Sequence, residues 1–269
     1  MTSYNRVDTT ITCLKRLHSI SIPSNIQLEV FLVDDGCTDH TGEIVREQFP
    51  EITVIDGNGE LYWNGGTLLA YRYARATSPD FYLWLNDDTH LFPDALHRLI
   101  DTYARVQEKG HREPVVVGAT REPTDQSFSY GGYRFESNGL RRSLVSTMPS
   151  DVPTVCDTFN GNCVLIPASI VRSFGMTDRR FPHAMADIDF GLRIGAAGAS
   201  IWQTPGFIGV CAGHTFGRIK APSWAKWKRF VSIKGLPPRQ WFRFTRRHFG
   251  FLWFAYWLNP YLKFWIGKQ

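Results

Sequence analysis

From Gly217 to Gln269 the chain contains no aspartate and no glutamate, yet it carries 12 Lys/Arg there. That leaves 18 Lys/Arg against 25 Asp/Glu in residues 1–216, so a mildly acidic body bears a strongly basic tail. The five cysteines (Cys13, Cys37, Cys156, Cys163, Cys211) are odd in number and show no CxxC or Cys/His spacing. Neither a zinc centre nor a disulfide framework is indicated, and a reducing, cytoplasmic setting is expected. No uninterrupted apolar run approaches the ~18 residues of a spanning helix, and the opening "MTSYNRVDTT" lacks the apolar segment of a secretory leader. Internal repeats and low-complexity tracts are also missing. What remains is an ordinary globular composition: 269 residues with 43% hydrophobic content bury one substantial core, which favours a single domain with an appendage.

The body alternates strand-like and helix-like segments. "QLEVFLVDD" is a β-rich run ending in acids, "TGEIVREQF" has helical spacing, and "EITVID" is again strand-like. A glycine-rich "GNGELYWNGG" then leads to a helix expected to open at Thr67, followed by the strand "FYLWLN" and a helix over about 93–109 closed by Gly110. Such alternation predicts an α/β fold with a mostly parallel sheet covered on both faces. After "VVVGAT" come an expected hairpin over 129–135, the segment "NGNCVLI", and helices near 168–174 and 186–194.

Ligands of open α/β sheets bind outside the carboxyl ends of the strands. Two strands end there in acid pairs: Asp34 and Asp35 after "FLV", Asp87 and Asp88 after "LWLN". A single aspartate after a strand is usually a turn or helix-capping residue. Two pairs at one mouth repel unless a cation or hydrogen-bond donors answer them, and such oxygen clusters suit Mg2+ or Mn2+ shared with substrate phosphates.

Three segments then occur in a recognisable order. "FLVDDGCTDHT" resembles the nucleotide-binding signature of family 2 glycosyltransferases, "LWLNDDT" their DxD-type metal motif, and "HAMADIDFGLR" their catalytic segment. Across roughly residues 2–216 the resemblance implies a GT-A fold (a Rossmann-like, mostly parallel sheet flanked by helices), a dTDP- or UDP-sugar donor, a divalent cation and inversion at the anomeric carbon. It also implies roles. Asp88 is the firmer metal ligand and Asp87 lies near metal, phosphate or ribose. Asp34 or Asp35 meets the nucleotide, with Gly36 in the tight turn. Thr2, Tyr4 and Asn5 help to hold the nucleotide, and the loop with Trp63, Asn64, Gly65 and Gly66 approaches the donor. Asn160 and Gly161 line the sugar pocket.

An inverting transfer needs a base for the acceptor hydroxyl. Motif alignment gives Asp187 that role, with Asp189 as runner-up; the competing reading has Asp187 capping a helix and Asp189 paired with Arg193 at i,i+4. His214 is a candidate third metal ligand, with an ordinary structural histidine as the equal alternative; His183 would line the acceptor site or fix the loop before Asp187. The chain departs from the family pattern at Asn86, Cys37 and Ala186, where acid, Ser and Glu are common. Asp39 is expected to cap the following helix, and Cys37 to pack rather than react. The chain also opens almost at the "YNR" turn, where relatives have an apolar strand first, so either its start is placed too far downstream or the first strand is expected to be missing.

The segment 217–269 holds six of the nine tryptophans interleaved with its cations. Amphipathic attachment to an anionic membrane surface fits this better than nucleic-acid binding, for which no module is recognisable; a packed helix pair and a homo-oligomer contact are further options. Together these observations predict a glycosyltransferase domain (1–216) with an amphipathic extension (217–269). It would act peripherally at the cytoplasmic membrane face on a glycan or lipid-linked acceptor in surface polysaccharide synthesis. A degenerate, non-catalytic scaffold and a sugar nucleotidyltransferase are the alternatives; the latter should show a triphosphate loop that is not found.

Overall fold

The computed structural model describes residues 1–138, 141–213 and 223–267. Its first half runs β1 (Thr2–Ser3), α1 (Val7–His18), β2 (Phe31–Asp34), α2 (Thr41–Gln48), β3 (Thr53–Asp56), α3 (Tyr62–Ala74), β4 (Phe81–Leu85), β5 (His90–Leu91), α4 (Ala95–Glu108) and β6 (Val115–Arg121). The second half adds β7 (Phe128–Tyr130), β8 (Gly132–Asn138), β9 (Arg141–Ser146), β10 (Thr154–Cys156), β11 (Thr158–Phe159), β12 (Cys163–Pro167), α5 (Ala168–Phe174), α6 (Ala186–Ala196) and β13 (Ile201–Val210). Three helices follow: α7 (Trp224–Phe230), α8 (Pro238–His248) and α9 (Trp253–Ile266).

Local chemistry explains these elements. In α1, Thr10, Cys13, Leu14 and Leu17 are buried at helical spacing, Asp8 sits in the first turn, and Lys15, Arg16 and His18 sit in the last, in the sense the helix dipole favours. Helix α4 buries Leu96, Leu99 and Val106 on one side. Strand β12, "CVLIP", is buried at every position, which is why it reads as a continuous apolar run rather than an alternating one.

A parallel sheet, β1-β2-β3, carries the first acid pair. The larger sheet follows the order β10-β13-β6-β12-β4, with β5 on β13 and β7 on β6. In it β13 runs parallel to β6, but β12 lies antiparallel between β4 and β6. The reversal has a simple origin: the chain enters β12 at the end where β4 leaves, joined there by the Asn86 N–H to the Asn162 carbonyl at 3.0 Å. The expected hairpin over 129–135 is displaced. Residues 128–130 pair with β6, and the hairpin proper is β8 with β9. Strand β1 exists, but as two residues, Thr2 and Ser3, opposite Val33 and Asp34. Between β2 and β4 lies a cleft lined by Leu28, Val30, Phe31, Phe81 and Leu83, and the buried Met1 amine donates to the Phe31 carbonyl at 2.8 Å.

The basic extension shares a core with the body. Phe244 and Phe249, on and just after α8, pack with Phe181, Met185, Ala186 and Leu192 around the start of α6. Burial of a phenylalanine ring is worth several kcal/mol, and truncating one leaves a cavity. Phe244→Ala is therefore expected to lower the unfolding free energy by about 3–5 kcal/mol in a denaturant titration; an unchanged midpoint would mean that α8 contributes nothing to the stability of the body.

Candidate active site

The site is assembled where the ends of β2 and β4 meet the turn after β1. Backbone bonds start the assembly: the Asp35 N–H donates to the Ser3 carbonyl at 3.0 Å, which holds that turn against the first acid pair. Asn5, at φ 51°, accepts from the Thr38 N–H at 2.7 Å. Asp39 accepts from the Val7 N–H (2.9 Å) and the Thr41 N–H (3.2 Å), so it binds the first turns of both α1 and α2, a wider capping role than expected. Gly36 has φ +69°, and a side chain there would strike the Gly59 backbone at 2.9 Å, so the tight turn requires glycine.

At the end of β4, Asp87 and Asp88 share one cation. Arg6 donates to Asp87 Oδ1 at 2.5 Å and to Asp88 Oδ2 at 2.8 Å. The two carboxylates are not equivalent. The Asp87 side chain is 1% exposed and takes the Thr10 hydroxyl at 3.3 Å, whereas that of Asp88 is 22% exposed and opens toward solvent. Burial pushes the Asp87 carboxyl up to about 6, with Asp88 adding repulsion and Arg6 opposing the rise. The donor set is hard oxygen, which fits a divalent cation that keeps further positions for substrate phosphates. Among the described residues no group of three or more His, Cys, Asp or Glu forms a ready-made metal cage. His214 lies outside the described residues.

A second acid faces the site from the far side. Asp187, in the first turn of α6, accepts the Gly161 N–H at 2.8 Å and the Ile188 N–H at 2.8 Å. Burial raises its pKa, outweighing those bonds and one from Asn160. Gly161 is required here by close approach, since a Cβ would lie 2.4 Å from the Trp63 ring. The Trp63 indole N–H donates to Asn86 Oδ1 at 2.7 Å. One path of contacts, Asp187 to Gly161 to Trp63 to Asn86, thus joins this acid to the β4 pair. Asn160 is fixed by the Tyr133 hydroxyl at 2.5 Å.

Several expected residues take other places. Asp189 is fully enclosed, bound by Arg193 (2.9 Å), Arg247 (2.6 Å) and His248 (2.9 Å), so its carboxylate is engaged in the i,i+4 pair with Arg193 and in contacts with the extension. Burial alone would raise its pKa, but the bonds from His248, Arg193 and Arg247 lower it. Helix α3 starts at Tyr62, not Thr67, so Gly65 and Gly66 lie inside its first turns, with Gly66 against Thr2. Asn64 is buried and spends its amide on the Asp178 and Phe181 carbonyls and its oxygen on Thr177, which leaves nothing for a ligand. Asp35 is buried, and its carboxylate takes the N–H groups of Gly59, Leu61 and Tyr62, ordering the glycine-rich loop. Asp34 accepts from the Cys37 N–H, and burial pushes the Cys37 thiol up to about 11. Tyr4 is exposed at the rim. Sequence reasoning passed over Arg6, although it completes the quoted "YNR", and over Arg247 and His248, whose partners are nearly sixty residues away.

The architecture is that of GT-A glycosyltransferases. TarS of S. aureus aligns over 93% of this chain and 43% of its own, with a TM-score of 0.58 and 14% identity. GalNAc-T7, solved with UDP, GalNAc and Mn2+, aligns over 76% and 41%, with a TM-score of 0.56 and 13% identity. The chain belongs to glycosyl transferase family 2, whose model matches residues 1–164. Among curated proteins it is 24% identical over 211 residues to the N-acetylglucosaminyl-diphospho-decaprenol L-rhamnosyltransferase of Mycobacterium tuberculosis, covering 68% of this chain and 66% of the relative. It is 33% identical over 99 residues to the 4,4'-diaponeurosporenoate glycosyltransferase of Staphylococcus haemolyticus, covering 36% and 26%. The chain thus spans just under two thirds of the mycobacterial relative and about a quarter of the staphylococcal one.

Protonation of Asp87 competes with any cation at the pair. Mn2+ binding, followed by calorimetry, is expected to weaken progressively as pH falls from about 7.5 to about 5, through the raised Asp87 value. A flat profile would show that Asp87 takes no part.

Proposed function

We propose that the protein is a metal-dependent, inverting glycosyltransferase that moves a sugar from a dTDP- or UDP-sugar to a glycan or lipid-linked acceptor. The observation that carries this reading is the pairing of two chemically distinct acid sites. One is a charge-dense pair at a strand end; the other is a lone, half-buried carboxylate of raised pKa, tied to it through Trp63 and Gly161. The diphospho-decaprenol sugar in the mycobacterial relative's name, and the UDP and Mn2+ of one structural neighbour, agree with it.

Asp88, the outward member of the pair, would hold the metal, with Asp87 contributing from behind. A bound Mn2+ or Mg2+ supplies the charge that stabilises the departing diphosphate. Arg6 answers the same two carboxylates, so its guanidinium would be released to an anionic ligand if they held a metal instead. Asp34 and the turn at Gly36 stand beside the nucleotide, while Asp35 orders the loop behind it. Thr2, Tyr4 and Asn5 form the rim on that side.

Asp187 takes the acceptor proton. Burial raises its pKa, in the direction that makes it a better proton acceptor, and its two backbone N–H bonds keep one face of the carboxylate oriented. The hydroxyl oxygen gains the glycosyl carbon as it loses its proton to Asp187, and the diphosphate leaves with the electron pair of the broken bond. Deoxyhexosyl transfer is favoured over hexosyl transfer by the rhamnosyltransferase likeness alone. The extension would keep the protein at a membrane surface; among the described residues no helix is long and apolar enough to cross one.

Asp187→Asn should leave Mn2+-dependent nucleotide-sugar binding intact and cut transfer by about 10²–10⁴-fold. Asp88→Ala should instead abolish the metal-dependent thermal stabilisation given by the nucleotide. Normal turnover of Asp187→Asn would remove the base assignment.

A further inference from the structure

The exposed side of α8 is a row of three unanswered cations. Arg239, Arg243 and Arg246 follow the i, i+4, i+7 spacing of one helix face, opposite the buried Phe244 and Thr245. All three are exposed, and among the described residues none has an ion pair or a side-chain hydrogen bond. Arg180 of the body closes the same depression, with Phe242 and Trp257 as its apolar wall at a ring separation of 6.0 Å. The two other arginines here behave differently: Arg180 and Arg247 are neutralised by Asp178, and Arg247 also by Asp189. Like charges at i,i+4 destabilise a helix, and no acid of residues 217–269 is available to offset them. The charge is open to an anion outside the protein.

The neighbouring surface says which anion. Beyond the depression, Phe251 is 85% exposed, and Phe254, Leu262 and Trp265 are exposed along α9. Guanidinium groups match phosphate oxygens in a fork, and exposed aromatic and aliphatic side chains beside them suit the boundary between headgroups and acyl chains. We propose that the α8 depression is a binding site for the phosphate of a membrane lipid, with the apolar side chains of α9 entering the headgroup layer. The same helix reaches the acceptor side of the active site, because Arg247 and His248 grip Asp189 two residues from Asp187. Lipid capture thereby sets the orientation of α6 toward the membrane. The inference rests on the proposed membrane contact and not on the transfer chemistry.

Co-sedimentation of the full chain with phosphatidylcholine vesicles, with and without phosphatidylglycerol, tests it. Wild type should bind only the anionic vesicles. The exposed triple variant R239Q/R243Q/R246Q should lose on the order of a hundredfold in partitioning, and R243Q alone on the order of fivefold, both with unchanged thermal midpoints. A control, R105Q/K109Q/R112Q, removes three charges from the body and should partition like wild type. Equal losses in both triples would reduce the effect to net charge and overturn the site, as would an unaffected α8 triple. Tighter binding of inorganic diphosphate or single-stranded RNA than of anionic vesicles would overturn the lipid assignment. Mn2+-dependent nucleotide-sugar binding, measured on the same preparation, separates the two readings. Its presence without vesicle binding removes only this inference; vesicle binding without it removes only the transferase reading.

Discussion

Asp87 and Asp88 stand side by side at the end of a buried strand, and their mutual repulsion has to be answered there. Arg6 answers it in the structure, bridging both carboxylates. That one contact fixes much of the neighbourhood. It draws the turn after β1 across the strand ends, where Ser3 and Asn5 in turn hold the loop of the first acid pair. The arrangement is stable without being closed. Asp88 faces outward and its partner Arg6 is part-exposed, so under the proposed reading the pair would offer its charge to a metal and a diphosphate without rebuilding the strand. A hydrophobic plug would have been more stable, but it would have had no affinity for an anionic leaving group.

A second buried charge does a different task. Asp189 has no exposed surface and three partners, Arg193, Arg247 and His248, the last two from the extension. Removing one partner of such a cluster leaves an uncompensated charge, which is why a buried ion group binds segments together more by the cost of breaking it than by its net stability. Around it, Phe181, Phe244 and Phe249 supply the apolar part of the same joint. The helix bearing Asp187 is thus braced by the basic extension. The two acids of "ADID" have separated by environment: one half-buried with a raised pKa, the other ion-paired with a lowered one.

The layout of the body was legible because its strands and helices carry local signals. The runs "FLVD", "TVID" and "FYLWL" all became strands, and the helices at 168–174 and 186–194 fell where their spacing put them. The direction of β12 was not legible, since a fully buried strand has the same apolar run whichever way it points. The start of α3 was misplaced because two glycines argue against a helix, yet close packing of Gly66 on Thr2 outweighs that propensity. At the site, strand-end acids announce themselves by position. Their division of labour does not: that Asp35 serves loop amides while Asp88 faces solvent depends on contacts made after folding. Of the partners of Asp189, Arg193 sits at the i,i+4 spacing read in the sequence, but Arg247 and His248 lie 58 and 59 residues away, beyond any local pattern.

The proposed transfer requires one exchange, a metal-bound diphosphate for the Arg6 guanidinium at the Asp87–Asp88 pair. A crystal structure with Mn2+ and a nucleoside diphosphate, using the anomalous signal of the metal, measures it directly. The account predicts a manganese peak within coordination distance of Asp88, the diphosphate bound to it, and Arg6 withdrawn from both carboxylates. A nucleotide bound with both Arg6 contacts intact and no manganese at Asp88 would contradict it.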